Sequence, residues 1–428
     1  MTNNDKQGET QREEGTRRED RAKETRRRGD AETRRGEPVP ASLFSGLSRS
    51  TIILGIVSLL SDISTEMVYP LLPIFLTETL KAPATAVGLI EGIAVGTASV
   101  VTGISGWISD RLGRRKAVAL AGYVLTAVSK PMIAFAGGWP VVLGARFAER
   151  FGKGIRSAPK DAMLAESTDE IHRGRAYGFE RAMDYTGAVL GPLIAIALVG
   201  GFATRTIFMF SFVPASIAAL LILSLRERRG DVAAGVNSLR LSLAGTTREY
   251  RRLMVIVAVF GLANSANAFL ILRAQQWGLE TRWTILAYAM YNAVAAIGSL
   301  PAGAASDRFG RRNLLIAGFA VYAIAYVGFA AGSQAWMVWP LFALYGLFPA
   351  LTDGVAKAMA VDTAGSAGTA TAIGVYSTVL GVTQVVASYV GGMLWDKVDA
   401  SATFYFGAGL SGAAVVLLFA LLPARTVR

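Results

Sequence analysis

The chain contains 428 residues, 52% of them hydrophobic, with a formal net charge of +12 and no cysteine. The first 40 residues carry 11 basic and 10 acidic side chains, so the other 388 residues, with 32 basic and 21 acidic, are about 14% charged, against about 25% in a soluble domain. These values exclude an ordinary soluble enzyme, disulfide frameworks and thiolate metal sites, and the single histidine, His172, excludes a histidine-rich metal site. Because the basic residues flank apolar segments, we expect no nucleic-acid partner and interpret the chain as a membrane protein.

Residues 1–45 form a charged N-terminal segment with few large apolar side chains. Glu-Thr-Arg-Arg occurs twice in it, at residues 24–27 and 32–35. Such a composition cannot bury enough apolar surface to offset the entropy lost on ordering. We therefore predict a disordered tail, which is either solvated or in contact with anionic lipid headgroups.

Apolar segments long enough to span a bilayer recur from residue 46 onward. Twelve are predicted, at residues 50–79, 84–108, 116–136, 139–163, 174–200, 205–225, 252–275, 283–306, 313–333, 336–361, 367–395 and 401–423. The longest polar interruption, a linker at residues 226–251, separates a half at residues 46–225 from a half at residues 252–424. The predicted fold is an all-α integral membrane protein with twelve transmembrane helices in two six-helix halves.

Basic residues are unevenly distributed among the predicted loops, and this distribution sets the orientation in the membrane. The loops after the second and eighth segments and the linker are rich in arginine, whereas the turns near residues 137–138 and 332–333 carry no charge. Both termini are therefore predicted to be cytoplasmic, in a bacterial-type inner membrane. We expect a monomer whose partners are the lipid bilayer and a small-molecule substrate.

Two predicted loops match each other. Residues 106–116 read GWISDRLGRRK and residues 303–312 read GAASDRFGRR, at the same position of each six-helix half. The pair resembles the motif A loops of the major facilitator superfamily, and the resemblance covers residues 45–424. It implies a site near the midplane between the halves and a cytoplasmic latch that opens during alternating access. The gating residues indicated are Gly106, Asp110, Arg111, Gly113, Arg114, Arg115, Gly303, Asp307, Arg308, Gly310, Arg311 and Arg312.

The residue types in these loops have expected physical roles. Gly106 and Gly303 would let helices approach closely, and Gly113 and Gly310 would permit tight turns. Asp110 would accept hydrogen bonds from a helix N-terminus or from an arginine. Alternatively, the arginines of both loops only fix the topology.

The fifth segment contains a second pattern of small residues. It consists of Gly178, Gly187, Gly191 and Pro192. The pattern resembles motif C of the same superfamily, which is associated with exporters that exchange substrate for protons. This resemblance favours a drug:proton antiporter with amphipathic, often cationic substrates. The usual closing glycine pair is absent, because alanine and isoleucine occupy residues 195–196. Close packing of helices in lipid is the alternative explanation.

The fourth segment carries six charged residues. They are Arg146, Glu149, Arg150, Lys153, Arg156 and Lys160. At about 100° per residue they lie in one stripe about 120° wide. Facing lipid, each charge would cost roughly 2.5–3.5 kcal/mol at the bilayer centre, so we expect the stripe to face a water-filled cavity, acidic partners or the cytoplasmic exit. Arg146 matches the basic residue of the family's motif B, whereas Arg150 replaces its usual glycine.

Other segments supply polar side chains that can meet this stripe. The candidates for proton coupling are Asp62, Glu66, Glu91, Glu149, Asp184 and Asp353. The candidates for substrate binding are Tyr69, Arg146, Arg150, Lys153, Asn264, Asn267 and Lys357. Because a low dielectric disfavours the charged form of a carboxylate, such a group can carry a proton without histidine. Asp62 and Glu66 are favoured, since the first helix lines the cavity in this superfamily.

Two interpretations of these charges remain open. In the structural one, the carboxylates are neutralised and the network only holds the protein together. The expected pairs are Glu149–Arg150, Asp184–Arg181 and Asp353–Lys357. In the functional one, an unpaired carboxylate takes up a proton when the cavity opens outward, while the basic stripe binds an anionic group.

The sequence contains neither a phosphate-binding loop nor the histidine of a catalytic triad, so an enzyme is not expected. We predict a secondary transporter that moves a small molecule by alternating access, through proton-coupled export. The alternatives are transport of an organic anion or metal chelate on the basic stripe, in either direction, and, more remotely, a channel or a non-transporting membrane sensor. No cofactor or metal is expected, and the proton gradient would supply the energy.

Overall fold

The computed structural model describes residues 47–112, 114–168, 173–225, 245–365 and 369–422. Within these ranges the chain forms twelve long helices: α1 (Arg49–Val68), α2 (Ala84–Leu112), α3 (Arg115–Ala134), α4 (Trp139–Glu166), α5 (Arg173–Leu198), α6 (Thr204–Ser224), α7 (Arg248–Ala263), α8 (Thr281–Phe309), α9 (Arg311–Ala331), α10 (Val338–Thr363), α11 (Thr369–Lys397) and α12 (Ala400–Leu421). Shorter elements continue α1 (Leu72–Ile74 and the π-helical turn Phe75–Thr79) and α7 (Ala268–Gln276), and the 3₁₀ turn Ala335–Met337 precedes α10.

The all-helical fold class is confirmed, and each long helix coincides with a predicted segment. In the described part of the chain, nine helical segments are long and apolar enough to cross a membrane. The other three are α4, α5 and α8. The charged stripe lies on α4, α5 carries Glu180, Arg181 and Asp184, and α8 is rich in alanine, glycine and serine. Charged side chains at membrane depth face the interior of a bundle, so α4 depends on protein neighbours more than on lipid.

The predicted segment at residues 252–275 is present as one candidate span, Arg248–Gln276, but its helix is interrupted. Helix α7 ends at Ala263 and the chain becomes helical again at Ala268. Asn264 leaves the helical conformation, with φ −84° and ψ 76°. The hydroxyl of Tyr322 donates to the carbonyl of Ala263 at 2.7 Å. A backbone group freed by the break therefore has a partner, which permits an interruption at membrane depth.

The helices pack as two groups, α1–α6 and α7–α12, each with a hydrophobic core mostly of its own. The groups meet along two pairs of helices, α2 with α11 and α5 with α8. Glycine is required where α11 crosses α2, because a Cβ atom added to Gly381 would lie 2.8 Å from the Cβ atom of Ser99. Small residues of this kind allow two membrane helices to approach closely.

The two ends of the bundle differ. The loops that connect α2 to α3 and α8 to α9 lie at one end, which we call the basic end because it carries Arg115 and Arg311. At the opposite end the carboxylate of Asp396, on α11, accepts hydrogen bonds from the N–H groups of Ala84 and Thr85 at 2.9 and 2.7 Å, and from the Thr85 hydroxyl at 2.6 Å. This contact, the Asp396 latch, caps the N-terminus of α2. It joins the two halves at that end.

Candidate functional site

A buried group of four charged side chains joins α2, α3 and α4. One nitrogen of the Arg146 guanidinium donates to both carboxylate oxygens of Glu91 at 2.8 Å, and another donates to Glu149 at 2.5 Å. The ammonium of Lys130 donates to the second oxygen of Glu149, also at 2.5 Å. The exposed fractions are 0% for Arg146 and Lys130, 1% for Glu149 and 2% for Glu91. Two positive and two negative charges neutralise each other in this group, which we call the charge brace.

The brace corrects one predicted pair. Glu149 does not pair with Arg150, because its two oxygens are held by Arg146 on its own helix and Lys130 on α3. Both oxygens of Glu91 are held by Arg146 in the same way. Glu91 and Glu149 were candidates for proton coupling, and their geometry supports a bracing role instead.

Two further members of the stripe have partners nearer the basic end. The guanidinium of Arg156 donates to the Ser61 hydroxyl at 2.5 Å and lies 4.2 Å from the ring centroid of Tyr123. Lys160 forms an ion pair with Glu180. Most of the stripe therefore faces polar groups of neighbouring helices, which is the arrangement expected for charges within a membrane.

Carboxylates on α5 complete this region. The predicted pair between Asp184 and Arg181 is present, with an N–O distance of 3.4 Å. Arg181 is largely exposed, with 70% of its side chain accessible. An exposed ion pair of this kind contributes little to stability.

Arg150 and Lys153 differ from the rest of the stripe. Neither forms an ion pair with a described residue, and the buried Nε atom of Arg150 has no hydrogen-bond partner. The positive charges of Arg150 and Lys153 attract the half-buried carboxylate of Glu66 on α1. The carboxylate of Asp62 likewise attracts the ammonium group of Lys153. Glu66 also accepts a hydrogen bond at 3.1 Å from the hydroxyl of Tyr288 on α8. Glu66 is therefore a point where the charges of the first half contact the second half.

A cavity of about 200 Å³ lies between the two halves. Its polar lining residues are Tyr69, Glu91, Asn264, Ser265, Asn267, Tyr291, Tyr345, Asp353, Gln384 and Ser388. The break after α7 contributes Asn264 and Asn267, both predicted as binding residues. Interrupted membrane helices commonly line binding cavities near the midplane, because the interruption frees polar groups.

Tyrosine rings form a continuous row beside the cavity. In order they are Tyr69, Tyr288, Tyr291, Tyr345, Tyr326 and Tyr322, with successive centroids 5.4, 5.6, 5.3, 5.9 and 4.1 Å apart. The amide of Asn267 lies between two of them: it donates to the Tyr291 hydroxyl at 3.2 Å and accepts from the Tyr345 hydroxyl at 2.8 Å. The row passes from α1 into the second half and presents aromatic surface with hydroxyl groups to the cavity.

Asp353, on α10, lines the cavity and accepts no hydrogen bond from a residue in the described ranges. The predicted ion pair with Lys357 is not formed. Lys357 lies exposed one turn farther along α10. Its positive charge attracts the Asp353 carboxylate from a distance, without an ion pair. The spacing of four residues permits a pair, but both side chains are exposed and remain apart.

The motif C-like glycines of α5 pack against α1. A Cβ atom added to Gly187 would lie 2.9 Å from the Cβ atom of Asp62, and one added to Gly191 would lie 2.7 Å from that of Glu66. Gly178, in contrast, has open space around it. Two of the three glycines therefore permit the close approach that places both α1 carboxylates between α5 and the stripe on α4.

The motif A-like loops are described in part. Gly113 and the side chains of residues 106–112 and 307 lie outside the described residues. Gly310 has φ 85°, which confirms the predicted tight turn. The prediction that Gly303 permits a close helix approach is wrong, because the space beside it is open.

Three of the described arginines of these loops form contacts within their own half. Arg115 pairs with Glu166, which joins α3 to α4, and Arg311 pairs with Asp362, which joins α9 to α10. Arg312 donates to the carbonyl of Leu418 at 3.2 Å. A gating role for these loops stays a prediction.

Several residues in the cavity or beside it were not predicted as binding residues. Tyr288 and Tyr291 are three residues apart on α8 and so share one helix face, which is a signal present in the sequence. Tyr345 and Gln384 are marked by neither charge nor motif, and only the packing of α10 and α11 brings them to the cavity.

The comparisons with known proteins agree with this architecture. The profile of the Major Facilitator Superfamily matches residues 54–280 and 253–428. An MFS-type transporter of Methanocaldococcus jannaschii is 31% identical over 373 residues, which cover 85% of this chain and 93% of that protein. A class C tetracycline resistance protein of Escherichia coli is 27% identical over 313 residues, covering 68% of this chain and 76% of that protein.

Among solved structures, a mutant of the nucleoside transporter NupG has the same fold. Its TM-score is 0.76 at 14% sequence identity, and the match covers 88% of this chain and 100% of that one. The profile spans nearly all of the described residues, and the archaeal relative exceeds 30% identity over most of both chains. The chain is therefore a multi-pass membrane transporter that belongs to the major facilitator superfamily.

Proposed function

We propose that this transporter exports a small organic molecule in exchange for protons, and that Glu66 carries the proton. The observation that supports the proposal most directly is the position of Glu66. Its carboxylate is half-buried between the halves, accepts a hydrogen bond from Tyr288 on α8, and experiences the charges of Arg150 and Lys153 without a direct ion pair.

Protonation of this carboxylate would change a contact between the halves. The ionised form attracts the two basic residues of α4 and accepts strongly from the Tyr288 hydroxyl. The protonated form loses the charge, so both interactions weaken. A proton and a conformational change are then linked through one group, as coupled transport requires.

Export is the direction that the other features support. Gly187 and Gly191, in the motif C-like pattern, let α5 pack closely against α1 at the positions of Asp62 and Glu66. A relative of this chain is a tetracycline resistance protein, and a membrane transporter that moves a drug out of a cell confers resistance to it. In this proposal the protein is a monomer in the bacterial inner membrane with cytoplasmic termini, and the proton gradient drives transport without a cofactor.

Proteoliposomes that enclose a pH-sensitive dye test the coupling. Tetracycline, benzyltrimethylammonium and benzoate are added in turn against an imposed pH gradient. We expect at least one of these solutes to dissipate the gradient with the unmodified protein, and the Glu66→Gln variant to behave like protein-free liposomes.

Glu78→Gln is the matched control, because Glu78 is an exposed carboxylate on the π-helical turn that continues α1. This variant should couple normally. Solute uptake that leaves the pH gradient unchanged would contradict proton coupling. Undiminished coupling in Glu66→Gln would exclude Glu66 as the proton carrier.

Arg150 favours a second candidate substrate class, an organic anion or metal chelate. Its buried Nε atom lacks a hydrogen-bond partner, and a carboxylate or phosphate would supply one. If the substrate is an anion, the double variant Arg150→Gln with Lys153→Gln should lose benzoate transport. Transport of benzyltrimethylammonium should survive the same change.

A further inference from the structure

We infer that Asp353 binds a positively charged nitrogen of the transported molecule, so that the substrate is an organic ammonium compound. The inference rests on the proposed function, since it assigns a substrate class to the same central cavity. It gives Asp353 a binding role in place of the proton-coupling role expected from the sequence.

The first argument is the distribution of charge in the cavity. Of the two carboxylates that line it, Glu91 is held by Arg146 through both oxygens, whereas Asp353 has no hydrogen-bonded partner among the described residues. None of the described lining residues is basic. The side chain of Asp353 is exposed where it lines the cavity, so a cation that enters the cavity can reach its negative charge.

The second argument is the aromatic and amide surface around this carboxylate. Tyr291, Tyr345 and Phe348 line the same cavity, and aromatic faces attract organic cations. The amide oxygen of Asn264 can accept a hydrogen bond from an ammonium group. The aromatic faces favour a cation, and none of the described lining residues carries the positive charge that would neutralise an anion.

The third argument is the space on the other side of Asp353. A smaller cavity of about 70 Å³ shares Asp353, Asn264 and Gln384 with the central one. Its remaining walls are mostly apolar and include Phe260, Phe319, Leu380 and Tyr376. The carboxylate thus lies where a polar cavity meets an apolar one. A molecule with a charged nitrogen beside a hydrophobic body matches both environments.

Lys357 is the nearest competing charge on α10. It is exposed and acts on Asp353 without an ion pair. A ligand cation can therefore approach the carboxylate from the cavity without displacing a lysine that is bound to it. This geometry distinguishes Asp353 from Glu91 and Glu149, whose oxygens are all occupied.

The absence of cysteine from the sequence permits a direct test. A single reporter thiol is introduced by Gln384→Cys, once with Asp353 present and once together with Asp353→Asn. The purified protein in detergent is treated with two methanethiosulfonates of similar size, one carrying a trimethylammonium group and one carrying a sulfonate. Labelling rates are followed by mass and divided by the rates with a free thiol in water.

We expect the cationic reagent to be favoured when Asp353 is present. The cation-to-anion ratio should fall about tenfold in Asp353→Asn, because this change removes one unit charge from the cavity that the reporter lines. Benzyltrimethylammonium should slow labelling only when Asp353 is present, whereas benzoate should have no effect. Asp362→Asn is the matched control, because Asp362 is on the same helix, pairs with Arg311 and lies outside the cavity. This control should keep the ratio.

Equal ratios in the two backgrounds, a preference for the sulfonate reagent, protection by benzoate alone or no labelling by either reagent would each overturn the assignment. Melting temperatures of all variants show whether the fold is intact. No proton gradient is present in detergent, so failure of Glu66 coupling leaves this result unaffected. Intact coupling without a cation preference would show that only the substrate class is wrong.

Discussion

Replacing Arg146 with methionine is expected to destabilise the protein by about 3–5 kcal/mol, because it leaves a buried ion-pair network incomplete. Glu91 would lose the group that holds both of its oxygens, and Glu149 would keep Lys130 alone. With all four residues at most 2% exposed, water cannot easily replace the missing partner. Unfolding of the purified protein in detergent, by heat or denaturant, measures the loss.

Arg150→Met is the matched control for this change. The side chains are identical in type and lie about one turn apart on α4, but Arg150 forms no ion pair with a described residue. We expect a change in unfolding free energy of less than about 1 kcal/mol. The double variant Arg146→Met with Glu91→Gln should recover part of the loss, because it removes both members of one pair. Equal stability of the two single variants would show that the brace contributes little.

Gly191→Ala is expected to cost about 1–3 kcal/mol of stability, as overpacking of a tight interface usually does. The added methyl group would lie 2.7 Å from the Cβ atom of Glu66 and 2.9 Å from the carbonyl oxygen of Ile63, so α1 and α5 must separate. Because Glu66 lies on the face of α1 that would move away from α5, proton coupling in proteoliposomes should decrease as well. Melting temperature and dissipation of the pH gradient are measured on the same preparation.

Gly178→Ala provides the control on the same helix. The position has open space, and alanine is a better helix former than glycine by about 1 kcal/mol. This variant should be unchanged or slightly more stable, with normal coupling. If both variants behave alike, the glycines of α5 do not position the α1 carboxylates.

Much of the fold follows from the sequence, because the bilayer sets both the length and the polarity of each helix. The break after α7 was not predicted. Asn264 and Asn267 indicate polar surroundings inside a membrane helix, but they do not distinguish a continuous helix from an interrupted one. That choice depends on partners such as Tyr322 and Tyr345, which come from distant segments.

The partners of the charges were harder to predict than the charges themselves. The stripe on α4 is visible from helical periodicity, and acidic partners in other helices were expected. Whether Glu149 faces Arg146 or Arg150 depends on how α3 packs against α4, since Lys130 approaches from α3 and fixes one oxygen. Sequence spacing within one helix contains no information about that rotation.

The Asp396 latch implies that separating the halves is inexpensive compared with unfolding either of them. Its acceptor is a side chain, but two of its donors are backbone N–H groups at a helix end, and the hydrogen bonds from Thr85 are accessible to solvent. Water can therefore take over each hydrogen bond as soon as the contact opens. The charge brace, in contrast, lies entirely within α1–α6. The halves can then part as nearly rigid bodies at that end while their buried ion pairs stay intact, which keeps alternative conformations close in free energy.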